Sequence, residues 1–276
     1  MINVNSKTAS LIAIDWGTTN RCAYLLDQSG SILEKRTDQL GLANIRYNNF
    51  EEAYKKLLTG WGKLKNNIPT LMSGMVGAST GWIETPYCQL PVSLQTLAKN
   101  LTKVSPERNI WIIPGVKIRD VNGIPDVIRG EEVQALSSKL NQNELLIITP
   151  GTHSKWILVK NGMILWFSTF MTGDVHSAIV NHTIISALDC SKKNAPNKTF
   201  KNGVKLGYSE KNHLTHILFG ARTKVLFEEL GKERISDYVS GILIGAEIAS
   251  GLSHFNKPPT EILLIGNKNL CLHYQQ

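Results

Sequence analysis

The chain has 276 residues, 42% of them hydrophobic and 19% charged, with 30 Lys and Arg against 22 Asp and Glu for a formal net charge of +8. This length carries a sizeable core and two domains of ordinary size, and the composition excludes a disordered or low-complexity chain. The basic residues are scattered, with no Lys/Arg block interleaved with aromatics, which argues against a nucleic-acid binder and for a site that attracts anionic substrates.

In chain order, residues 1–7 contain no apolar signal core. A short apolar run over 11–14 delivers the turn Asp15-Trp16-Gly17-Thr18-Thr19-Asn20, and a second run over 23–26 returns from it. This is a β-hairpin whose tip offers a carboxylate, a glycine and two hydroxyls. Gly17 lets the backbone approach a ligand closely, the turn N–H groups and hydroxyls suit phosphate oxygens, and Asp15 suits Mg²⁺ held through water. Ordinary hairpins also carry Asp-x-Gly-Thr, so the turn alone does not decide. Residues 31–37 read as a third strand. A helix over 49–64 places Phe50, Tyr54, Leu57, Leu58 and Trp61 on one face. A strand over 69–72 opens into the glycine-rich stretch 73–82. Another strand lies over 110–113, a loop over 116–129 and a helix over 130–140. The alternation is that of an α/β domain.

The opening pattern then recurs. An apolar strand over 145–149 ends in Pro150-Gly151-Thr152-His153-Ser154, a strand over 155–159 leaves it, Asn161-Gly162 makes a tight turn, and a strand over 163–169 follows. This duplication divides the chain into a domain over 1–143 and a second over 144–276. Helices are expected over 175–188, 213–230 and 236–252, a strand over 261–265, and a helix opening at Gly266, with a surface loop at 192–198. No apolar run approaches the ~20 residues of a membrane span. Cys22, Cys88, Cys190 and Cys271 are isolated thiols, so a reducing, cytosolic setting is expected. The seven histidines lack partners at zinc-ligand spacing, and only His153 falls within a candidate site.

Two Gly-Thr turns on duplicated hairpins form the arrangement of the actin and sugar-kinase superfamily. The resemblance narrows with Asp15-Trp16-Gly17-Thr18, Gly74-Met75-Val76-Gly77, Gly81-Trp82, Pro86-Tyr87, Pro114-Gly115, Arg129-Gly130-Glu131-Glu132, Pro150-Gly151-Thr152-His153-Ser154-Lys155-Trp156, Met171-Thr172-Gly173 and the stretch from Ser240 to Glu247. In this order the chain resembles the 2-dehydro-3-deoxygalactonokinase family over nearly its whole length. The resemblance implies an α/β two-domain actin-like ATPase fold of the ribonuclease H-like kind, with ATP and Mg²⁺ in an interdomain cleft. It also implies transfer of the γ-phosphate to the 6-hydroxyl of 2-dehydro-3-deoxy-D-galactonate in galactonate catabolism.

Phosphoryl transfer needs positioning, charge neutralisation and a group to accept the hydroxyl proton. Asp15 is the candidate for the metal side. Gly17, Thr18 and Thr19, and then Gly151, Thr152, His153 and Ser154, are the candidate phosphate grips, with Lys155 as a point charge and Gly266 on the nucleotide side. Glu131 is the candidate base, with Glu132 and Asp126 as rivals; the ordinary role of such acids is to complement a helix dipole. Gly74, Met75, Trp82, Arg129 and Asp126 are the candidates for the sugar acid, whose carboxylate wants a cation or N–H donors. The expected partners are ATP and the sugar acid, with neither nucleic acid nor membrane, and a homodimer is compatible with the reading. The chain departs from the family where members commonly carry Arg seven residues after the first Asp. That place holds Cys22, and Arg21 beside it faces the other side of the strand. It also stops at Gln276, soon after the strand over 261–265, so the second domain is expected to be incomplete at its C-terminus. Two alternatives follow: a kinase for another sugar or sugar acid, or a nucleotide-binding remnant without activity.

Overall fold

Alternating apolar residues at the start of the chain and a polar turn at 15–20 dictate a hairpin. The computed structural model, which describes residues 9–46, 49–61, 68–137, 144–188, 197–257 and 259–276, builds it from β1 (Ala9–Trp16) and β2 (Arg21–Asp27). β3 (Ile32–Asp38), α1 (Phe50–Leu57), β4 (Thr70–Gly74), β5 (Tyr87–Gln89), β6 (Val92–Ser93), α2 (Leu94–Lys99), β7 (Thr102–Lys103), β8 (Ile110–Ile112), β9 (Gly115–Arg119), β10 (Pro125–Ile128) and α3 (Glu131–Ser137) follow. Then come β11 (Glu144–Thr149), β12 (Ser154–Lys160), β13 (Met163–Phe170), α4 (Thr172–His182), α5 (Lys198–Ser209), α6 (Leu214–Leu226), α7 (Ile235–Leu252), β14 (Glu261–Leu264) and α8 (Lys268–Tyr274). The chain divides into two compact units: Met1–Asn141 with Gly162–Trp166, and Gln142–Asn161 with Phe167–Gln276.

In the first unit six strands lie in the order β3-β2-β1-β4-β8-β7. β1 pairs antiparallel with β2 and parallel with β4, so the ends of β1 and β4 emerge side by side, Asp15 opposite Ser73 and Trp16 opposite Gly74. One sheet face is closed by α1, whose Phe50, Ala53, Tyr54 and Leu57 bury against Ile12, Ile14, Trp16, Leu25 and Met72. The expected loop over 116–129 is instead the hairpin β9–β10, with Asp126 opposite Ile118 and Gly123 at φ +78 in its turn. α1 ends earlier than the helix expected over 49–64, since Leu58 already departs from helical geometry. The last residues of that expectation lie outside the described residues, as do 138–140 of the helix expected over 130–140, residues 192–196 of the expected loop, and Cys190.

In the second unit β11 runs between β12, antiparallel, and β14, parallel, repeating the pairing of β1 with β2 and β4. Asn161 and Gly162 both take positive φ, as a two-residue hairpin turn requires. The helices bury a core of their own around Ile217, Ala221, Ile235, Val239 and Ile242. α5 is a helix that the sequence reading did not anticipate. It packs on α7 through glycines four residues apart on each helix. A Cβ at Gly203 would lie 2.4 Å from the Tyr238 carbonyl oxygen, one at Gly207 2.0 Å from that of Ile242, and those at Gly241 and Gly245 each 2.2 Å from a carbonyl of α5. Glycine costs about 1 kcal/mol in a helix interior relative to alanine, so these four residues lower the local signal for a helix while permitting a close backbone contact between α5 and α7.

The contact makes a direct test. Gly207→Ala should destabilise by about 2 kcal/mol or more, because backbone rather than a flexible side chain must yield. Gly220→Ala on α6, where nothing lies within 4 Å, should be neutral or stabilise by about 0.5–1 kcal/mol. Urea unfolding midpoints check both; equal shifts would contradict the packing.

Candidate active site

The turn after β1 is built so that its carbonyls face inward. The Gly17, Thr18 and Thr19 carbonyls accept hydrogen bonds from the N–H groups of Leu42, Ala43 and Gly41, at 2.9–3.0 Å. Gly41 is required there, since its Cβ would fall 2.3 Å from the Thr19 backbone. Thr18 and Thr19 stay exposed, so the open side presents hydroxyls rather than repelling carbonyl oxygens to an anion.

Asp15 precedes this turn. Gly74, at φ +90 and ψ −154, bends the end of β4 so tightly that its Cβ would meet the Trp16 carbonyl oxygen at 2.7 Å and Asp15 Oδ1 at 3.3 Å. Gly130, at φ +112, brings the start of α3 against Gly74, with a Cβ 3.3 Å from its Cα. These two glycines place Glu131 within electrostatic range of Asp15. Asp15 is open to solvent yet crowded by chain; desolvation raises its pKa, and the Glu131 charge raises it further.

The remaining acids have distinct roles. Glu131 accepts from the Arg129 N–H at 3.2 Å. Glu132 is fully buried; its Oε2 accepts from the Gly130 N–H at 2.6 Å and its Oε1 has no hydrogen-bond partner. Burial pushes the Glu132 carboxyl up to about 8. Asp126 sits on β10, accepting from the Val127 N–H at 2.7 Å. The Arg129 guanidinium is committed to its own unit: Nη1 donates to the Thr85 hydroxyl, Nη2 to the Thr85 carbonyl at 3.0 Å, and its plane lies 4.2 Å from the Tyr87 ring centroid. Thr85 in turn holds the Gly77 carbonyl, so Arg129 fastens the 3₁₀ turn Met75–Gly77 that follows Gly74. Trp82 packs on Trp16 and Tyr54 at the edge of the core.

Cys22 stands directly across the hairpin from Asp15, and the influence of its thiol, with burial, raises the pKa of the Tyr24 phenol two residues on. Arg21 pairs instead with Trp16 on the opposite face. There it is buried, donates two 2.8 Å bonds to the Asp38 carboxylate and a third to the Ala53 carbonyl, and lies over the Trp16 ring. The Asp15 side of the hairpin therefore carries a thiol and a phenol, and the arginine serves the core.

In the second unit the turn 150–154 borders a cavity of about 400 Å³, lined by Gly151 and Thr152, by Thr172 and Gly173 at the start of α4, by Leu243 and Ile244 of α7, and by Leu270 and Tyr274 of α8. Gly151 is open, its Cβ position meeting only the His153 carbonyl oxygen at 3.9 Å. Gly173 is the reverse: a Cβ there would strike the Gly151 carbonyl oxygen at 2.4 Å, so α4 can start against the turn only with glycine. Met171 gives α4 no side-chain cap, and the Asp174 N–H donates to the Thr152 carbonyl at 3.0 Å. A helix start without a side-chain cap, beside an open glycine, suits an anion at the N–H groups the Thr152 carbonyl leaves free. His153 Nε2 lies 3.4 Å from Asp174, and Lys155 Nζ donates to the His153 carbonyl at 2.9 Å. Gly266 follows β14 and lies against Pro150, a Cβ there coming within 3.3 Å of the Pro150 carbonyl oxygen.

Ser154 is fully buried and donates its hydroxyl proton to Glu247 at 2.7 Å. Glu247 also receives the Trp156 indole N–H at 2.7 Å, the Tyr274 hydroxyl at 2.7 Å and the Thr172 hydroxyl. Sequence reading assigned Glu247, Thr172 and Tyr274 no role. Its available signal was a carboxylate set inside the otherwise apolar run of α7. Among the described residues no group of three or more His, Cys, Asp or Glu is placed to hold a metal ion, and no helix is long and apolar enough to cross a membrane.

Residues 15–276 match the family model described as 2-keto-3-deoxy-galactonokinase. The chain is 34% identical over 270 residues to the 2-dehydro-3-deoxygalactonokinase of Escherichia coli strain K12, covering 98% of this chain and 89% of that one. It is 32% identical over 246 residues to a Rhizobium meliloti protein named a probable 2-dehydro-3-deoxygalactonokinase, covering 87% and 80%. A crystal structure of a candidate 2-dehydro-3-deoxygalactonokinase from Sinorhizobium meliloti superposes with a TM-score of 0.87 at 30% identity, over 96% of this chain and 89% of that one.

The buried Glu132 predicts a pH dependence. Its carboxyl keeps a proton in the folded state up to about pH 8 that the unfolded chain releases near 4.5, so its stabilising contribution is full below 4.5 and lost as pH rises through about 8. The unfolding temperature should fall across this window, and Glu132→Gln, which keeps an acceptor for the Gly130 N–H, should flatten the fall. Parallel profiles for the two proteins would contradict a protonated Glu132.

Proposed function

The chain belongs to the 2-keto-3-deoxy-galactonokinase family, and from that premise we propose how its residues divide the phosphorylation of 2-dehydro-3-deoxy-D-galactonate. It is an ATP-dependent sugar-acid kinase of the actin-like ATPase fold, acting in galactonate catabolism. We assign the sugar acid to the first unit and the nucleotide to the second. One observation carries the assignment: Gly74 and Gly130 bring Glu131 to Asp15 beside a turn stripped of outward carbonyls.

Glu131 is the base that takes the proton of the acceptor's 6-hydroxyl. Asp15, next to it, is held in a repulsive pair that a divalent cation relieves. A Mg²⁺ ion accompanying a nucleotide needs only one or two protein carboxylates besides the phosphates, so a pair of acids fits it where a cage of three is absent among the described residues. When bound, Mg²⁺ neutralises the phosphate charge that builds during transfer. Thr18 and Thr19 offer hydroxyls to the terminal phosphates. The Gly151–His153 turn and the start of α4 supply N–H donors, the Thr152 hydroxyl adds another, and Lys155, tied to the turn's own carbonyl, lends charge at its edge. Ser154 supports the turn from below rather than touching phosphate. The acid's carboxylate is met by backbone N–H groups of the Gly74–Gly77 turn, which Arg129 braces through Thr85.

Glu131→Gln should lower kcat by about 10²–10⁴-fold, the range of a lost general base, while leaving Mg-ATP binding nearly intact. A coupled ADP-release assay alongside ATP titration measures both. Near wild-type turnover in this variant removes Glu131 from the role.

A further inference from the structure

Glu247 is a carboxylate that the proposed chemistry leaves unused, and its surroundings define what it does. It is 3% exposed, within the apolar and small-residue run from Gly241 to Ala249 of α7. An ionised carboxylate has about four lone-pair sites. Here Oε1 accepts from Ser154 Oγ and Trp156 Nε1, both at 2.7 Å, and Oε2 accepts from the Tyr274 hydroxyl at 2.7 Å and from Thr172 Oγ1. With all sites filled, Glu247 has nothing left for a metal, a proton in transit or a ligand.

Its donors come from three elements, β12, α4 and α8, and two of them, Thr172 and Tyr274, line the 400 Å³ cavity. A hydroxyl has one proton. Once Thr172 and Tyr274 give theirs to Glu247, their oxygens can only accept from anything in the cavity. Phosphate oxygens, themselves acceptors, gain nothing at this wall, whereas a ribose hydroxyl or a base amine does. We propose that Glu247 is a positioning residue for the nucleotide: it fixes the Thr172 and Tyr274 hydroxyls as acceptors, so that this wall takes a hydrogen-bond donor of the nucleoside while phosphate is left to the turn's N–H groups. The inference rests on the nucleotide reading of the cavity and adds the polarity of one wall to it.

Steady-state kinetics in both substrates test it. Tyr274→Phe, which deletes one hydroxyl and little else, and Glu247→Gln, which replaces an acceptor oxygen by an amide donor, should each raise KM for ATP by about tenfold, the equivalent of one well-made hydrogen bond, with KM for the sugar acid within about twofold of wild type. A merely structural role would move both constants together or lower the unfolding temperature alone. If Glu247→Gln does not fold, Tyr274→Phe decides. An unchanged KM for ATP in that variant, or equal rises in both constants, overturns the inference. Leu270→Trp, which fills the cavity, separates the premise from the inference: it should abolish the thermal stabilisation that Mg-ATP gives, and persistence of that stabilisation overturns the nucleotide reading and the inference with it.

Discussion

The backbone contact between Gly74 and Gly130 is the constraint on which the first unit's chemistry depends. Two residues at positive φ, one ending a parallel strand and one opening a helix, touch over the end of β1. Neither tolerates a side chain, because Gly74 already lies against the Trp16 carbonyl and Gly130 against Gly74. The reward is electrostatic. A helix whose first turn holds two acids is aimed at a third, and the two outer carboxylates, Asp15 and Glu131, lie within electrostatic range of each other. Bringing like charges together costs stability, which is why such pairs mark sites that a cation or a transferred proton completes. The third acid, Glu132, is turned into the protein and ties down the peptide of Gly130. Adjacent acids thus differ in their surroundings: Glu131 lies within electrostatic range of Asp15, and Glu132 secures the peptide between them and β10.

The second unit reaches a comparable result with a buried side chain beneath its turn. Glu247 binds the start of β12, the start of α4 and the end of α8, while Gly173 lets α4 press against the turn. α7, which carries Glu247, is seated on α5 by four interlocked glycines, so the carboxylate's height under the turn is set by backbone packing rather than by adaptable side chains. In both units the Gly-Thr turn is held in shape by partners beneath it, the 41–43 N–H groups in the first and Glu247 in the second.

Much of this was legible in the sequence because it depends on local chemistry. Strand periodicity and Gly-Thr turns gave both hairpins and the duplication, and the acids after Gly130 marked the start of α3. What escaped depends on contacts distant in sequence. Gly41 looks like any loop glycine until the 41–43 N–H groups are seen on the 17–19 carbonyls. α5 was hidden because Gly203 and Gly207 weaken a helix locally and are repaid only by α7. The β9–β10 hairpin did carry a readable sign, Asn122-Gly123 between alternating residues, which the reading of 116–129 as loop passed over. Ser154 and Arg129 have partners that the motif does not announce. The sequence offers both as ligand contacts, and in the fold Ser154 donates to Glu247 and Arg129 to Thr85. A serine or arginine in such a motif is as useful for holding the site as for touching the substrate, and only the partner tells which.

The central claim is that this chain transfers a phosphoryl group from ATP to one hydroxyl of a sugar acid, with Glu131 accepting the proton. The most direct measurement is phosphorus and carbon NMR of the product formed from Mg-ATP and 2-dehydro-3-deoxy-D-galactonate. The account predicts one ADP per acid consumed, with the phosphate on the 6-oxygen. ADP release without phosphorylated acid, phosphate on another oxygen, or no ADP at all would contradict it.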